Sequence, residues 1–366
     1  MYVESLELKN FRNYERISLS FDKGTNVLYG DNAQGKTNLL ESVYVCGTTK
    51  SHKVIHDAEL IRFGEEESHI RMNVNKAGVS HRIDMHLKKN KPKGAAVDGI
   101  PIRRASELFG MINIVLFSPE DLQIIKNGPK DRRKFMDSEL CQLDRFYFSQ
   151  LAAYNRVIQQ RNRLLKDMDV YDSSGAVLDV WDEQMIRYGR ELIRLRRDFI
   201  SRMNDIIGPV HSRLTEGKEH IFLQYEPSAE EDSFPEELRK SRERDIRMRL
   251  SSVGPHRDDF SVLVNDIDMR HFGSQGQQRS AALSLKLSEI TLVRETAKEP
   301  PVLLLDDVLS ELDGGRQKML LRSVSEIQTF ITCTGMDELV ENQFPIDRIF
   351  HIVQGTVQTN GTDGRK

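Results

Sequence analysis

Three hundred and sixty-six residues exceed what one core ordinarily holds, and about 150 residues per domain argues for about two domains. With 38% hydrophobic and 30% charged residues, the chain is too apolar to stay disordered and too charged for a membrane protein. Its net charge of -3 does not by itself announce a polyanion partner, so any such site has to be a local patch. The longest apolar runs, such as Ile114 to Phe117 and Val302 to Leu305, fall far below the roughly 18 residues of a spanning helix. Glu4 and Glu7 stand where a secretory signal would be basic and then apolar, so we expect a cytoplasmic protein that folds from its first residue. Cys46, Cys141 and Cys333 form no CxxC pair, which argues against disulfide and zinc frameworks and leaves buried thiols.

In chain order, Val3, Leu6 and Leu8 alternate with polar residues and Ile17, Leu19 and Phe21 repeat the pattern, which predicts a strand pair bent around Asn10 to Arg16. Asn26 to Tyr29 reads as a short strand, then a Gly-containing loop, then a helix over Thr37 to Val45. From about 50 to 118 the spacing predicts an antiparallel sheet, with Ile70, Met72 and Val74 and then Ile83, Met85 and Leu87 alternating. A helical stretch from Arg132 to Asp167 is followed by a turn at Asp169 to Gly175 and by a long stripe of Trp181, Met185, Tyr188, Leu192, Leu195, Phe199, Met203 and Ile206. That is the pattern of a helical hairpin, inserted as an arm. Residues 226–237, with six acids and two prolines, read as a solvated loop. The last third predicts a helix over 276–297, a strand Val302 to Leu305, a helix over 313–326 and a strand Thr329 to Thr334, an alternation that implies parallel strands. A strand pair, Ile349 to Val353 and Thr356 to Gln358, turns at Gln354-Gly355 before a frayed tail.

Gly30-Asp31-Asn32-Ala33-Gln34-Gly35-Lys36-Thr37 fits GxxxxGK[ST] between a predicted strand and a predicted helix. Its glycines let backbone N–H groups turn inward on phosphate oxygens, Lys36 reaches the β and γ phosphates, and Thr37 can hold magnesium. Such a loop needs an acidic strand end for its metal, and Val302 to Leu305 leads into Asp306 and Asp307. Asp306 is the expected magnesium partner. Asp307 is placed to orient or deprotonate water, its bland alternative being a helix cap. Ser274-Gln275-Gly276-Gln277-Gln278-Arg279 is a small-residue turn opening a helix, an anion site if phosphate reaches it and otherwise a plain cap.

Together with Ser310-Glu311-Leu312-Asp313, these motifs resemble the SMC-related ABC-type ATPases of chromosome maintenance, and within them the RecF family. The blocks Leu8 to Tyr14, Phe117 to Leu122 and Gly254 to Phe260 are similar to that family's own, and the resemblance runs from about residue 1 to 358. It implies an α/β ABC-type P-loop ATPase head with an N-terminal antiparallel sheet and an inserted helical arm. It implies head segments 1–128 and 251–358, an arm 129–250 and a tail 359–366. It also implies ATP and Mg2+ as cofactors and an ATP-dependent homodimer, each copy pairing its Lys36 loop with the other's Ser274 to Arg279 turn. Residues matching Arg12 and Asn13 then lie beside the nucleotide, and Ser310 and Asp313 approach the interface. Further implications are double-stranded or gapped DNA as a partner, RecO and RecR beside it, and loading of a recombinase at single-strand gaps. Two residues depart from wider ABC habit. Asp307 stands where Glu is common, one methylene shorter, so turnover is expected to be slow; Thr332-Cys333-Thr334 stands where a switch His is common. Phe117 to Leu122 offers no switch Gln.

Lys88, Lys89, Lys91, Lys93, Arg103 and Arg104 against Asp98 give a local charge of +5, a candidate DNA-backbone patch or simply a solvated hairpin. Second-rank candidates are Lys50, His52 and Lys53, and Lys130, Arg132, Arg133 and Lys134. The scattered histidines take no part in the expected mechanism. Rival readings are a transporter's nucleotide-binding subunit, a small-metabolite kinase for which SQGQQR is incidental, and a scaffold that binds ATP without turnover.

Overall fold

The computed structural model describes residues 1–103, 107–168, 176–324, 326–335 and 344–358. The turn expected at Asp169 to Gly175, the basic candidate Arg104 and the tail from 359 lie outside the described residues. The first elements follow the predicted alternation: β1 (Tyr2–Phe11) and β2 (Tyr14–Ser20) pair antiparallel about Arg12-Asn13. β3 (Thr25–Tyr29) leads through residues 30–35 into α1 (Lys36–Thr48). β4 (Glu67–Lys76), β5 (Val79–Lys88), β6 (Gly94–Val97) and β7 (Ile100–Pro101) extend the antiparallel sheet in the order β2-β1-β4-β5-β6-β7. β8 (Ile114–Phe117) departs from the expected antiparallel stretch. It is buried along its whole length and belongs to a different, mainly parallel sheet, as a continuous apolar run favours.

After a short α2 (Leu122–Lys126), the expected helical stretch divides into α3 (Pro129–Leu143) and α4 (Arg145–Asp167), because Asp144 leaves helical geometry and caps α4 by accepting from the Phe146 N–H. α5 (Ala176–Leu214) has 39 residues, a rod of about 58 Å at 1.5 Å per residue. β9 (Ile221–Glu226), α6 (Phe234–Lys240) and α7 (Arg242–Met248) follow. The acidic segment 226–237 is therefore a loop only in part. Pro235 suits the first turn of α6, Phe234 is fully buried, and Arg190 and Arg197 pair with Asp232 and Glu230. β10 (Asp259–Val264), β11 (Ile267–Asp268) and α8 (Met269–Phe272) precede α9 (Gln275–Ala297). The remainder is β12 (Val302–Asp306), α10 (Gly314–Ser323), β13 (Thr329–Cys333), β14 (Arg348–Val353) and β15 (Thr356–Gln358).

The chain forms two compact units, Met1–Asp121 with Glu289–Lys366, and Leu122–Ser288. In the first, a second sheet of order β15-β14-β3-β13-β12-β8 runs parallel from β14 to β8, with β15 antiparallel at one edge. Inner-face residues of both sheets, among them Leu6, Ile70, Leu304 and Phe330, share one core with Leu39, Leu40 and Val43 of α1.

The second unit is not purely helical, since β9, β10 and β11 make a three-stranded antiparallel sheet. Its interior carries two fully buried arginines. Arg161 donates to Asp182 and Asp245 at 2.7 Å each and to Ser251 at 2.8 Å. Arg196 donates to Tyr147, Asp137, Asp258 and the Pro255 carbonyl at 2.6–3.0 Å. The block Gly254 to Phe260 is the hub of this network. Asp258 also accepts from the Tyr225 hydroxyl and the Ser228 N–H, and Asp259 holds Arg132. The Ser251 carbonyl can only accept, so His256 donates from Nε2 and accepts the Tyr154 hydroxyl at Nδ1. Burial holds His256 down at about 4, hence neutral.

Candidate nucleotide site

The loop between β3 and α1 is built for close backbone approach. Gly30 has φ 146°, and a Cβ there would stand 2.4 Å from the Ile352 carbonyl; Gly35, at φ 115°, would strike the Asn13 amide and come within 3.0 Å of the Tyr14 hydroxyl. Both positions need glycine's left-handed freedom. The loop is gripped from three elements. Asn13 donates to the Gln34 carbonyl at 2.9 Å and the Tyr14 hydroxyl to the Gly35 carbonyl at 2.9 Å. The β14–β15 turn donates the Gly355 and Gln354 N–H groups to the Gln34 carbonyl and side chain. That last clasp has no local sequence signal, because it exists only once β14 is seated beside β3. Asp31, Asn32 and Ala33 are exposed at the mouth.

Lys36 is buried, and its ammonium donates to the Gly30 and Asp31 carbonyls at 2.5 and 2.8 Å. Burial pulls its pKa down while the nearby acids Asp307, Asp306 and Asp31 pull it back. The parallel order puts the ends of β3, β13 and β12 side by side, and the chemistry collects there. The Thr37 hydroxyl donates to Asp306 Oδ1 at 2.7 Å, and Lys53 lies 3.4 Å from Asp306 Oδ2. Two hard oxygen donors in contact, with an ammonium drawn to the same carboxylate, suit a small divalent cation. Thr332 completes the group: its hydroxyl donates to Asp306 Oδ1 and accepts the Asp307 N–H, both at 2.9 Å. Asp307 is exposed at φ 55°, a turn that carries its carboxylate past the strand end.

The site thus brings together Lys36, Thr37, Asp306 and Thr332, with Asp307 on the rim. Arg12 is bound bidentately at 2.8 Å by Glu41 of α1 and donates to the Glu59 carbonyl. Ser310 donates to the Asp307 carbonyl at 2.9 Å. Asp313 caps α10 by accepting the Arg316 N–H, which with the Arg316 charge holds its carboxyl below the usual range. Thr334 is exposed just beyond β13. Glu41 carries no motif and was missed by sequence reasoning, and Lys53, expected among the second-rank DNA contacts, stands instead at Asp306.

The turn Ser274 to Arg279 lies in the second unit, where 251–288 clusters rather than with the strands that follow. Ser274, Gln275, Gly276 and Arg279 are exposed. The Ser274 hydroxyl accepts the Gln277 N–H at 3.3 Å and Gln277 Oε1 accepts the Ser274 N–H at 3.1 Å, a reciprocal cap. Gln278 is buried, donating to the Met269 carbonyl.

The basic candidates fare unequally. Lys88, Lys89 and Lys93 pair with Glu67, Glu66 and Asp57, so the local charge falls from +5 to +2, Arg104 still counted. Lys91 and Arg103 are exposed. His52 is held neutral by burial, at about 4. Arg132 is buried on Asp259 and Arg133 donates to the Asp258 carbonyl, so both serve the hub.

Residues 2–358 match the profile of the RecF/RecN/SMC N terminal domain family. The DNA replication and repair protein RecF of Lachnoclostridium phytofermentans is 58% identical over 98% of this chain and 99% of its own. The protein of that name from Clostridium perfringens is 41% identical over 98% and 100%. Among solved structures, the recombination mediator protein RecF with ATPrS, of the RecFOR pathway, superposes with a TM-score of 0.91 at 35% identity, covering 98% of each chain. An Smc head shares the fold at 16% identity, with a TM-score of 0.56 over 98% of this chain and 96% of that one. The chain belongs to the RecF family of DNA replication and repair proteins, within the SMC-related ABC-type ATPases.

Proposed function

We propose that this protein is an ATP-driven DNA clamp of recombinational repair: ATP joins two copies on double-stranded or gapped DNA, and slow hydrolysis releases them. The observation that carries this reading is the joined set Lys36, Thr37, Asp306, Thr332 and Asp307 at adjacent parallel strand ends. The solved relative described with ATP in the RecFOR pathway, at 35% identity over 98% of this chain, supports it. In this reading the N–H groups of 30–37 and the Lys36 ammonium hold the β and γ phosphates, which displace Lys36 from the loop's own carbonyls. Thr37 and Asp306 are the residues that would hold Mg2+, which supplies charge neutralisation on the transferred phosphoryl group. Asp307 orients the attacking water and accepts its proton, and Thr332 fixes the spacing of the two acids. The turn 274–279, exposed at Ser274, Gln275, Gly276 and Arg279 and opening a 23-residue helix, meets the γ-phosphate held by the other copy. Lys91 and Arg103 contact DNA phosphates. Partners of the RecO and RecR kind, and recombinase loading at gaps, complete the proposal.

Two variants test it. Lys36→Ala abolishes nucleotide binding in calorimetry, whereas Asp307→Asn binds ATP and loses turnover. Parent-level hydrolysis in Asp307→Asn would overturn the assignment of the base. Phosphate appearing on an acceptor other than water would favour a kinase.

A further inference from the structure

The outward face of the antiparallel sheet carries a second cluster that the nucleotide chemistry does not use. Ser68, Ile70, Met85 and Leu87 face the core, so the period of two turns Glu67, His69, His86 and Lys88 outward together. The β4–β5 register places His69 opposite His86 and Glu67 opposite Lys88. The two imidazoles stack with centroids 4.0 Å apart and planes at 18°. Both rings aim Nε2 at one carboxylate: His86 Nε2 lies 3.1 Å from Glu67 Oε2 and His69 Nε2 3.6 Å from Oε1. One donor atom from each residue falls within 4.8 Å of the others.

We propose that Glu67, His69 and His86 form a site for a divalent transition metal of the zinc class, with water in the remaining positions. Two imidazole nitrogens and one carboxylate oxygen are a donor set that borderline divalent cations favour, and three protein ligands leave a position open. Hydrogen-bonded strands fix the ligands' spacing better than loops would. Each imidazole gives up the Nε2 proton that faces Glu67 when a metal takes its place, so binding releases protons and strengthens as pH rises. Lys88, 3.0 Å from Glu67 Oε2, orients the carboxylate and leaves Oε1 for the ion. His69 and His86 also line a cavity of about 710 Å³ shared with Lys9, Arg16, Arg71 and Asp84.

The test uses the full chain stripped of metal, with no nucleotide or DNA, and with excess Mg2+ to occupy Asp306. Its failure therefore leaves the proposed ATPase untouched. Zn2+ affinity is read by competition with a chromophoric chelator, and ligand type by the visible spectrum of the Co2+ form. One equivalent bound through nitrogen and oxygen is expected, weakened at least about tenfold by His69→Gln or His86→Gln and unchanged by His271→Gln. Zinc should also raise Tm in the parent and not in His69→Gln. Urea midpoints of the metal-free proteins confirm that the variants fold, as the half-buried position of these side chains on the sheet's outward face leads us to expect. Absence of a stoichiometric site, a thiolate charge-transfer band, or affinity indifferent to both histidine changes would overturn the proposal.

Discussion

Replacing Thr332 by valine removes one hydroxyl at almost constant volume, and in this fold that hydroxyl joins two acids. It is buried, donates to Asp306 Oδ1 at 2.9 Å and accepts the Asp307 N–H at 2.9 Å. A hydrogen bond to a charged group contributes about 1.5–3 kcal/mol and a neutral one about 1. Asp307 is exposed, so its N–H can turn to water and the carboxylate bond dominates the loss, about 2–3 kcal/mol in all. The catalytic effect is separate. Without the hydroxyl the bridge from the Asp306 carboxylate to the Asp307 N–H is lost, and a displacement of the Asp307 carboxylate approaching 1 Å costs about 10²-fold in rate. Steady-state ATP hydrolysis with Mg2+ should therefore show kcat down by about 10- to 100-fold. Calorimetry on the same protein should show ATP affinity little altered, because Lys36 and the loop amides are intact. Thr332→Ser should restore both stability and rate. An unchanged kcat in a valine variant that has lost the expected stability would refute the coupling of the two acids through Thr332.

Within the second unit, Asp258→Asn removes a charge that compensates the fully buried Arg196; breaking such a pair costs about 3–5 kcal/mol, and the urea midpoint reads the loss. Burial lowers the folded-state pKa of His256 from 6.5 to about 4, so its contribution to stability is present above 6.5 and is lost as pH falls toward 4. His256→Gln should flatten that part of a Tm-against-pH curve, and an unaltered acid limb would contradict the assignment. On DNA, Lys91→Ala and Arg103→Ala should each lower the salt slope of duplex binding by about 1. Lys93→Ala, already paired with Asp57, should leave that slope alone.

Much of the first unit was legible because its periods are local. The alternation of Leu6 and Leu8, then Ile70 and Met72, gave strands; the GxxxxGKT run between Tyr29 and Leu39 gave the phosphate loop; the apolar run 302–305 placed Asp306 at a buried strand end. Sheet membership was not legible for Ile114 to Phe117, since a short apolar run does not say whether its partner is sequential or distant. The resemblance supplied the roles of Ser274 to Arg279; the residues alone read equally as a cap, and that cap is present. Arg132 looked like a surface cation because charge was counted along the chain, whereas Asp259, its partner, is 127 residues away. Lys88, Lys89 and Lys93 misled in the same way, their acids arriving from other segments. The Glu67, His69 and His86 cluster escaped notice because its histidines meet only through the β4–β5 register.

The clamp itself is tested most directly by molar mass from light scattering on Asp307→Asn, with ATP, ADP or no nucleotide, and with or without duplex DNA. The account predicts one copy without nucleotide or with ADP, a doubling with ATP, and a further shift when duplex is added. A single copy under every condition, with ATP binding verified in the same sample, would contradict it.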